Sequence, residues 1–152
     1  MGIPFDNRSK VEVYSDLLAN DITLRSNFAY DAVIGFNAEG KENLTLISNG
    51  TQACEKGVYF NDVHNSTLTG NYLGSASSPN ETSALLSDCS ELTISDGYFI
   101  GDSLEMGLYL NNVSESTLKN NYFIGLSKAA ELIDCNGVDF EENNIVKVQL
   151  QG

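Results

Sequence analysis

Residues 43–64 read NLTLISNGTQACEKGVYFNDVH, and the chain from Asn65 onward repeats the same plan. The opening pattern recurs as DITLRSN from Asp21, NLTLISN from Asn43, NSTLTGN from Asn65, ELTISDG from Glu91, ESTLKNN from Glu115 and GVDFEEN from Gly137. The intervals are 22, 22, 26, 24 and 22 residues. A near-constant period of this length points to a solenoid, in which each repeat buries its apolar face by stacking on its neighbours. The second position of the pattern holds Ile22, Leu44, Ser66, Leu92, Ser116 and Val138; the fourth holds Leu24, Leu46, Leu68, Ile94, Leu118 and Phe140. Between them lie Thr23, Thr45, Thr67, Thr93, Thr117 and Asp139. A period of 2 with a β-branched polar residue between apolar ones specifies a strand, with Leu and Ile turned in and Thr turned out.

Other columns follow from the same alignment. The seventh position reads Asn27, Asn49, Asn71, Gly97, Asn121, Asn143. Asn and Gly tolerate the left-handed backbone of a sharp bend, so the bend is expected at these residues, with stacked amides forming a ladder. Later in each coil Phe36, Val58, Ala84, Leu108 and Ala130 align, then Ala38, Phe60, Leu86, Leu110 and Leu132, then Val63, Cys89, Val113 and Cys135. Asp62, Asp88, Asn112 and Asp134 form an Asx column at the closing bend. The extra residues around SASSPNET, with Pro79, predict a protruding loop. Residues 1–20 do not match the repeat and are expected to form a cap or attachment arm; residues 21–152 form the repeat domain.

The stretches GVYFNDVHNSTLTGNYLG and GLYLNNVSESTLKNNYFIG, with the Asn column, resemble the parallel β-helix repeat family of pectate-lyase-like proteins and phage tailspikes over about residues 21–148. The resemblance implies an all-β fold: a single-stranded, right-handed parallel β-helix of about six short coils with an Asn ladder at one bend. The right hand also follows from the usual handedness of parallel crossovers. Activity is left open, since this fold serves lyases, hydrolases, adhesins and virion parts.

Bulk properties narrow the partners. A net charge of −13, from 21 acids against 8 Lys and Arg, repels nucleic acid, anionic lipid and polyanionic sugars. No apolar run approaches the roughly 20 residues of a membrane span, and MGIPFDNRSK has no apolar signal core. Three cysteines exclude a full disulfide framework. Cys54 is expected in a turn, while Cys89 and Cys135 sit two coils apart, too far to bridge, and read as small core hydrophobes. No metal-ligand spacing and no cofactor motif occur, so no metal and no cofactor are expected.

Candidate chemistry is sparse. Asp62 and Asp88 on adjacent coils would stand about 5 Å apart, within reach of a glycosidase carboxylate pair. Asn112 in the same column favours bend building over catalysis. The lyases that the resemblance suggests would use an Arg or Lys base, yet the arginines are Arg8 and Arg25, remote from that column. His64, the single histidine, has no Ser and acid partners identifiable in the sequence. An ice-binding array would need a second outward Thr column, and Arg25, Ile47, Thr69, Ser95, Lys119, Glu141 is not one. Tyr72, Tyr98 and Tyr122, with Tyr59 and Tyr109 in a second column, are expected to point outward, forming a subunit interface or a glycan contact. With tight coils and little material to wall a cleft, the reading favours a non-enzymatic attachment module. The expected identity is a bacteriophage virion component (tailspike, fibre or capsid decoration protein), a homotrimer located on a virion or extracellularly among other virion proteins. The alternative is a polysaccharide-acting enzyme or carbohydrate-binding β-helix contacting cell-surface glycan.

Overall fold

The computed structural model describes residues 11–75, 81–102 and 104–147. Pro79 and the first ten residues of the expected cap lie outside the described residues. Among the described residues, seventeen strands, all paired in parallel, wind through six turns without a helix. Each turn has three sides. The first side stacks β1 (Val11–Leu17), β4 (Ala32–Glu42), the opening half of β7 (Lys56–Thr69), β9 (Thr82–Ser87), β12 (Met106–Asn111) and β15 (Lys128–Ile133). The second stacks β2 (Thr23–Arg25), β5 (Thr45–Ile47), the closing half of β7, β10 (Ser90–Ser95), β13 (Ser114–Lys119) and β16 (Asn136–Glu141). The third is a separate sheet of β3 (Phe28–Tyr30), β6 (Gly50–Cys54), β8 (Tyr72–Ser75), β11 (Tyr98–Ile100), β14 (Tyr122–Ile124) and β17 (Asn144–Val146). The protein is an all-β parallel solenoid of six turns.

The predicted columns are the observed ladders: Thr45 pairs with Thr67, Thr67 with Thr93, and Thr93 with Thr117, all outward. Phe36, Phe60, Leu86, Leu108, Leu110, Phe99 and Phe123 fill the interior. Phe99 and Phe123 stack face to face at 4.9 Å, one coil spacing apart. Ser66 and Ser116 occupy inward positions without breaking the core. Each hydroxyl donates to a carbonyl two residues back (His64 and Ser114) and accepts the N–H of the preceding coil's Leu44 or Leu92. At the last turn the columns run out, and Leu132, Phe140 and Ile145 are exposed. Val11–Leu17, beyond the reach of the repeat alignment, adds one more rung: β1 pairs with β4 and buries Leu17.

Two expectations need correction. The left-handed residue at the Asn bend is the one before the Asn column: Ser26, Ser48, Gly70, Asp96, Asn120 and Glu142 have φ between 53° and 65°. The Asn side chains are turned inward instead, because an amide can satisfy the backbone groups that the bend takes out of the ladder. Asn49, Asn71 and Asn121 are buried. Asn49 Oδ1 accepts from Asn27 N at 2.8 Å, Asn71 Oδ1 from Asn49 N at 2.9 Å and Asn121 Oδ1 from Gly97 N at 3.0 Å, while each Nδ2 donates to a carbonyl of the preceding coil. Cys54, expected in a turn, is fully buried at the end of β6. The closing Asx column does take the left-handed backbone, with Asp62, Asp88, Asn112 and Asp134 at φ from 54° to 58°, and Gly40 at the equivalent bend has φ 64°.

Candidate functional site

The third side carries the most distinctive surface. Because its strands follow directly on the inward Asn column, alternation turns the next residue out: Phe28, Gly50, Tyr72, Tyr98, Tyr122 and Asn144 form one register row. Tyr72, Tyr98 and Tyr122 are 53%, 41% and 40% exposed, as their predicted outward orientation requires. Their rings stack, Tyr98 on Tyr122 at 5.1 Å and 11° and Tyr72 on Tyr98 at 5.9 Å and 35°. Such pairs contribute about 0.5–1.5 kcal/mol each beyond area burial, so the row is also a rigid element. Phe28 lies across Gly50, where an added Cβ would come within 2.7 Å of its ring.

Beside this row, where Gly74 offers no side chain, a cleft of about 230 Å³ opens. Phe28 and Tyr72 form one wall and Ile100 another; Gln52, Asp102 and Glu105 supply the polar groups. Glu105 is 1% exposed. Its Oε2 accepts from Asp102 N at 2.7 Å and Leu104 N at 3.2 Å, closing the short connection from β11 to β12. Burial pushes its carboxyl above the usual glutamate range, and a hydrogen bond with the Asp102 side chain pushes the same way.

The other sequence-derived candidates are elsewhere. Tyr59 and Tyr109 are half-buried on the first side, separated by Leu85, and do not join the aromatic row. Asp62 and Asp88 lie on the corner between the first and second sides. Asp88 accepts from Asn112 Nδ2 at 2.8 Å, and Asp62 Oδ1 contacts His64 Nε2 at 2.8 Å. The expectation that His64 lacks Ser and acid partners is overturned, since its Nδ1 also meets Ser90 Oγ at 2.7 Å. Sequence reading placed Phe28 in the outward row after the Asn bend, where it lies, and missed Asp102, Glu105 and Gln52. A usable signal was present: Glu55, Glu81 and Glu105 recur at one repeat position, each one residue before the register-matched Lys56, Thr82 and Met106, and Glu81 and Glu105 are buried there.

A family model described as "NosD: Periplasmic copper-binding protein (NosD)" matches residues 5–152. The chain belongs to the NosD family. Among solved structures, a candidate glycosyl hydrolase from Parabacteroides merdae superposes with a TM-score of 0.60 at 11% identity, covering 89% of this chain and 80% of its own. At that identity the likeness shows the fold alone. The surface protein and adhesin PfbA of Streptococcus pneumoniae matches at a TM-score of 0.38 and 8% identity, over 86% of this chain and 49% of that one, too loosely to carry an argument. No curated protein matches the chain.

Proposed function

We propose that this NosD-family solenoid is a periplasmic or extracellular glycan-binding module that holds an uncharged oligosaccharide along the third side. The observation that carries this is the aromatic row of Phe28, Tyr72, Tyr98 and Tyr122 running into the acid-edged cleft. Flat exposed rings pack against the apolar faces of sugar rings, and Gln52 and Asp102 at the cleft supply an amide donor and carboxylate acceptors for hydroxyl groups. At about 230 Å³ the cleft is smaller than sites that enclose a drug-sized ligand, which suits one sugar unit with the remaining polymer on the open face. The net charge of −13 and the two acids disfavour a polyuronate.

Binding is favoured over hydrolysis. Glu105 is buried and its Oε2 is held by the N–H groups of Asp102 and Leu104, which leaves Asp102 without a second exposed carboxylate in the cleft lining to face it across a glycosidic bond. The copper in the family's description has no matching donor set: among the described residues no three His, Cys, Asp or Glu side chains cluster for a metal. Burial pushes the Cys89 thiol up to about 11, against the thiolate that a metal requires. The single histidine is already held between Asp62 and Ser90. The virion trimer expected from the short coils draws no support from the family or the matched structures.

Affinity electrophoresis or calorimetry against a panel of neutral and acidic polysaccharides tests the proposal. Retention by a neutral glycan is expected, weakened at least tenfold by Tyr72→Ala and by Tyr98→Ala and unchanged by Tyr59→Ala. A homotrimer in sedimentation with those rings protected, and no retention on any glycan, would overturn it in favour of a subunit interface.

A further inference from the structure

The corner between the first and second sides holds a second constellation that the glycan reading does not use. β7 runs through this corner, and its left-handed residue Asp62, at φ 58°, interrupts the strand's alternation. The carboxylate comes onto the same outward edge as His64, and Asp62 Oδ1 lies 2.8 Å from His64 Nε2. Ser90 is the register partner of His64 on the next coil, in β10, and its Oγ lies 2.7 Å from His64 Nδ1. Acid, imidazole and hydroxyl thus form one continuous hydrogen-bonded chain held on two paired strands. The imidazole side chain is 40% exposed, so its edge is open to an approaching molecule.

We propose that Asp62, His64 and Ser90 form an acyl-transfer site for unhindered acyl esters. A carboxylate on one ring nitrogen fixes the tautomer whose other nitrogen accepts the serine proton, which is how a weak hydroxyl nucleophile is activated. Here Nε2–H donates to Asp62 and Nδ1 accepts from Ser90. The nitrogens are exchanged relative to the usual serine-hydrolase arrangement, and either can serve because both are in-plane and can accept or donate. Ser90 Oγ attacks the ester carbonyl carbon as its proton passes to Nδ1. The carbon–oxygen bond to the alcohol breaks, and the alcohol leaves with that proton. Water then attacks the Ser90 ester, loses a proton to Nδ1, and releases the carboxylic acid as Ser90 Oγ takes the proton back. Ser90 and His64 are the catalytic residues; Asp62 is a positioning residue. The register supplies an internal control in Ser114, which pairs with Ser90 one coil further on and with Asn136 on its other side.

The test is labelling of the full chain with a fluorophosphonate at pH 8, mapped by peptide mass spectrometry, together with turnover of p-nitrophenyl acetate. A single adduct on Ser90 is expected in the unaltered protein, lost in Ser90→Ala, at least tenfold slower in His64→Gln and unchanged in Ser114→Ala. Asp62→Asn is expected to lower kcat for p-nitrophenyl acetate at unchanged KM while Ser90 remains the labelled residue, a split that a merely structural aspartate would not produce. Ester turnover falls at least tenfold in Ser90→Ala. Adduct mapping on the unaltered protein needs no variant to fold. Labelling absent at Ser90, spread over several serines, or as fast in a folded His64→Gln would each overturn the assignment.

Discussion

Glu105 is an acid kept in an interior where its charged form is disfavoured. Its carboxyl titrates above the value of 4.5 expected in an unfolded chain, first because of burial and then because of Asp102. The folded protein therefore binds this proton more tightly than the unfolded one. The sign follows: the contribution is fully present below the unfolded value and is lost as pH rises through the folded one. Glu105→Gln keeps an acceptor for the N–H groups of Asp102 and Leu104 and adds an amide donor toward Asp102. The variant and the parent should have equal melting temperatures near pH 4, and the variant should become progressively more stable above it. A constant offset between the two melting curves across pH 4–8, or a less stable variant at pH 8, would contradict this account. Neither the acid pair nor the Ser90–His64–Asp62 chain was visible as a motif. Asp102 and Glu105 meet because of a turn, and Ser90 meets His64 across 26 residues that include the insertion. Both depend on exact register, which a column alignment yields only once the bends are placed.

At the scale of elements, the Asn ladder was legible because one residue type recurred at one position, while its purpose was not. The alignment put Asn at the bend, and the bend does lie there, yet the strained φ belongs to the preceding residue and the amide works as an internal splice. Asn121 is 0% exposed and holds two backbone groups at once, Gly97 N at 3.0 Å and Ile94 O at 2.9 Å. Removing the amide leaves a buried donor and a buried acceptor, each costing roughly 1–3 kcal/mol. Asn121→Ala should therefore lower stability by about 3 kcal/mol in urea unfolding, and a loss under about 1 kcal/mol would mean that water replaces the amide. The interruption at Gly97 has a physical trace: a void of about 10 Å³ between Leu68, Asn71, Leu73, Ile94 and Phe99. Glycine lacks the side chain that fills this column in the other coils. Aromatic stacking on the third side shows the same logic in reverse, since one outward position repeated over three coils yields a continuous ring surface that no single coil could hold rigid.

Across the whole molecule, stacking identical positions also stacks identical charges. Asp62 and Asp88, and Glu91 and Glu115, stand at equivalent bends of adjacent coils, and the chain carries 21 acids against 8 Lys and Arg. Two like charges about 5 Å apart in water repel by just under ~1 kcal/mol, and salt screens exposed charges over a length of about 10 Å at 0.1 M. Asn interleaved in these columns relieves some of the repulsion: Asn112 donates to Asp88, Asn43 donates to Asp21, and Asn65 donates to Asn43. The excess that remains predicts a melting temperature that rises with sodium chloride between 10 and 300 mM, by ~2–4 °C for each 1 kcal/mol screened. A flat or falling profile would mean that the Asx columns already neutralise the field locally. The same measurement separates the forces behind glycan binding. Contacts between aromatic rings and uncharged sugars should keep their affinity over that salt range, whereas a basic ligand drawn by the acidic field should lose most of its affinity.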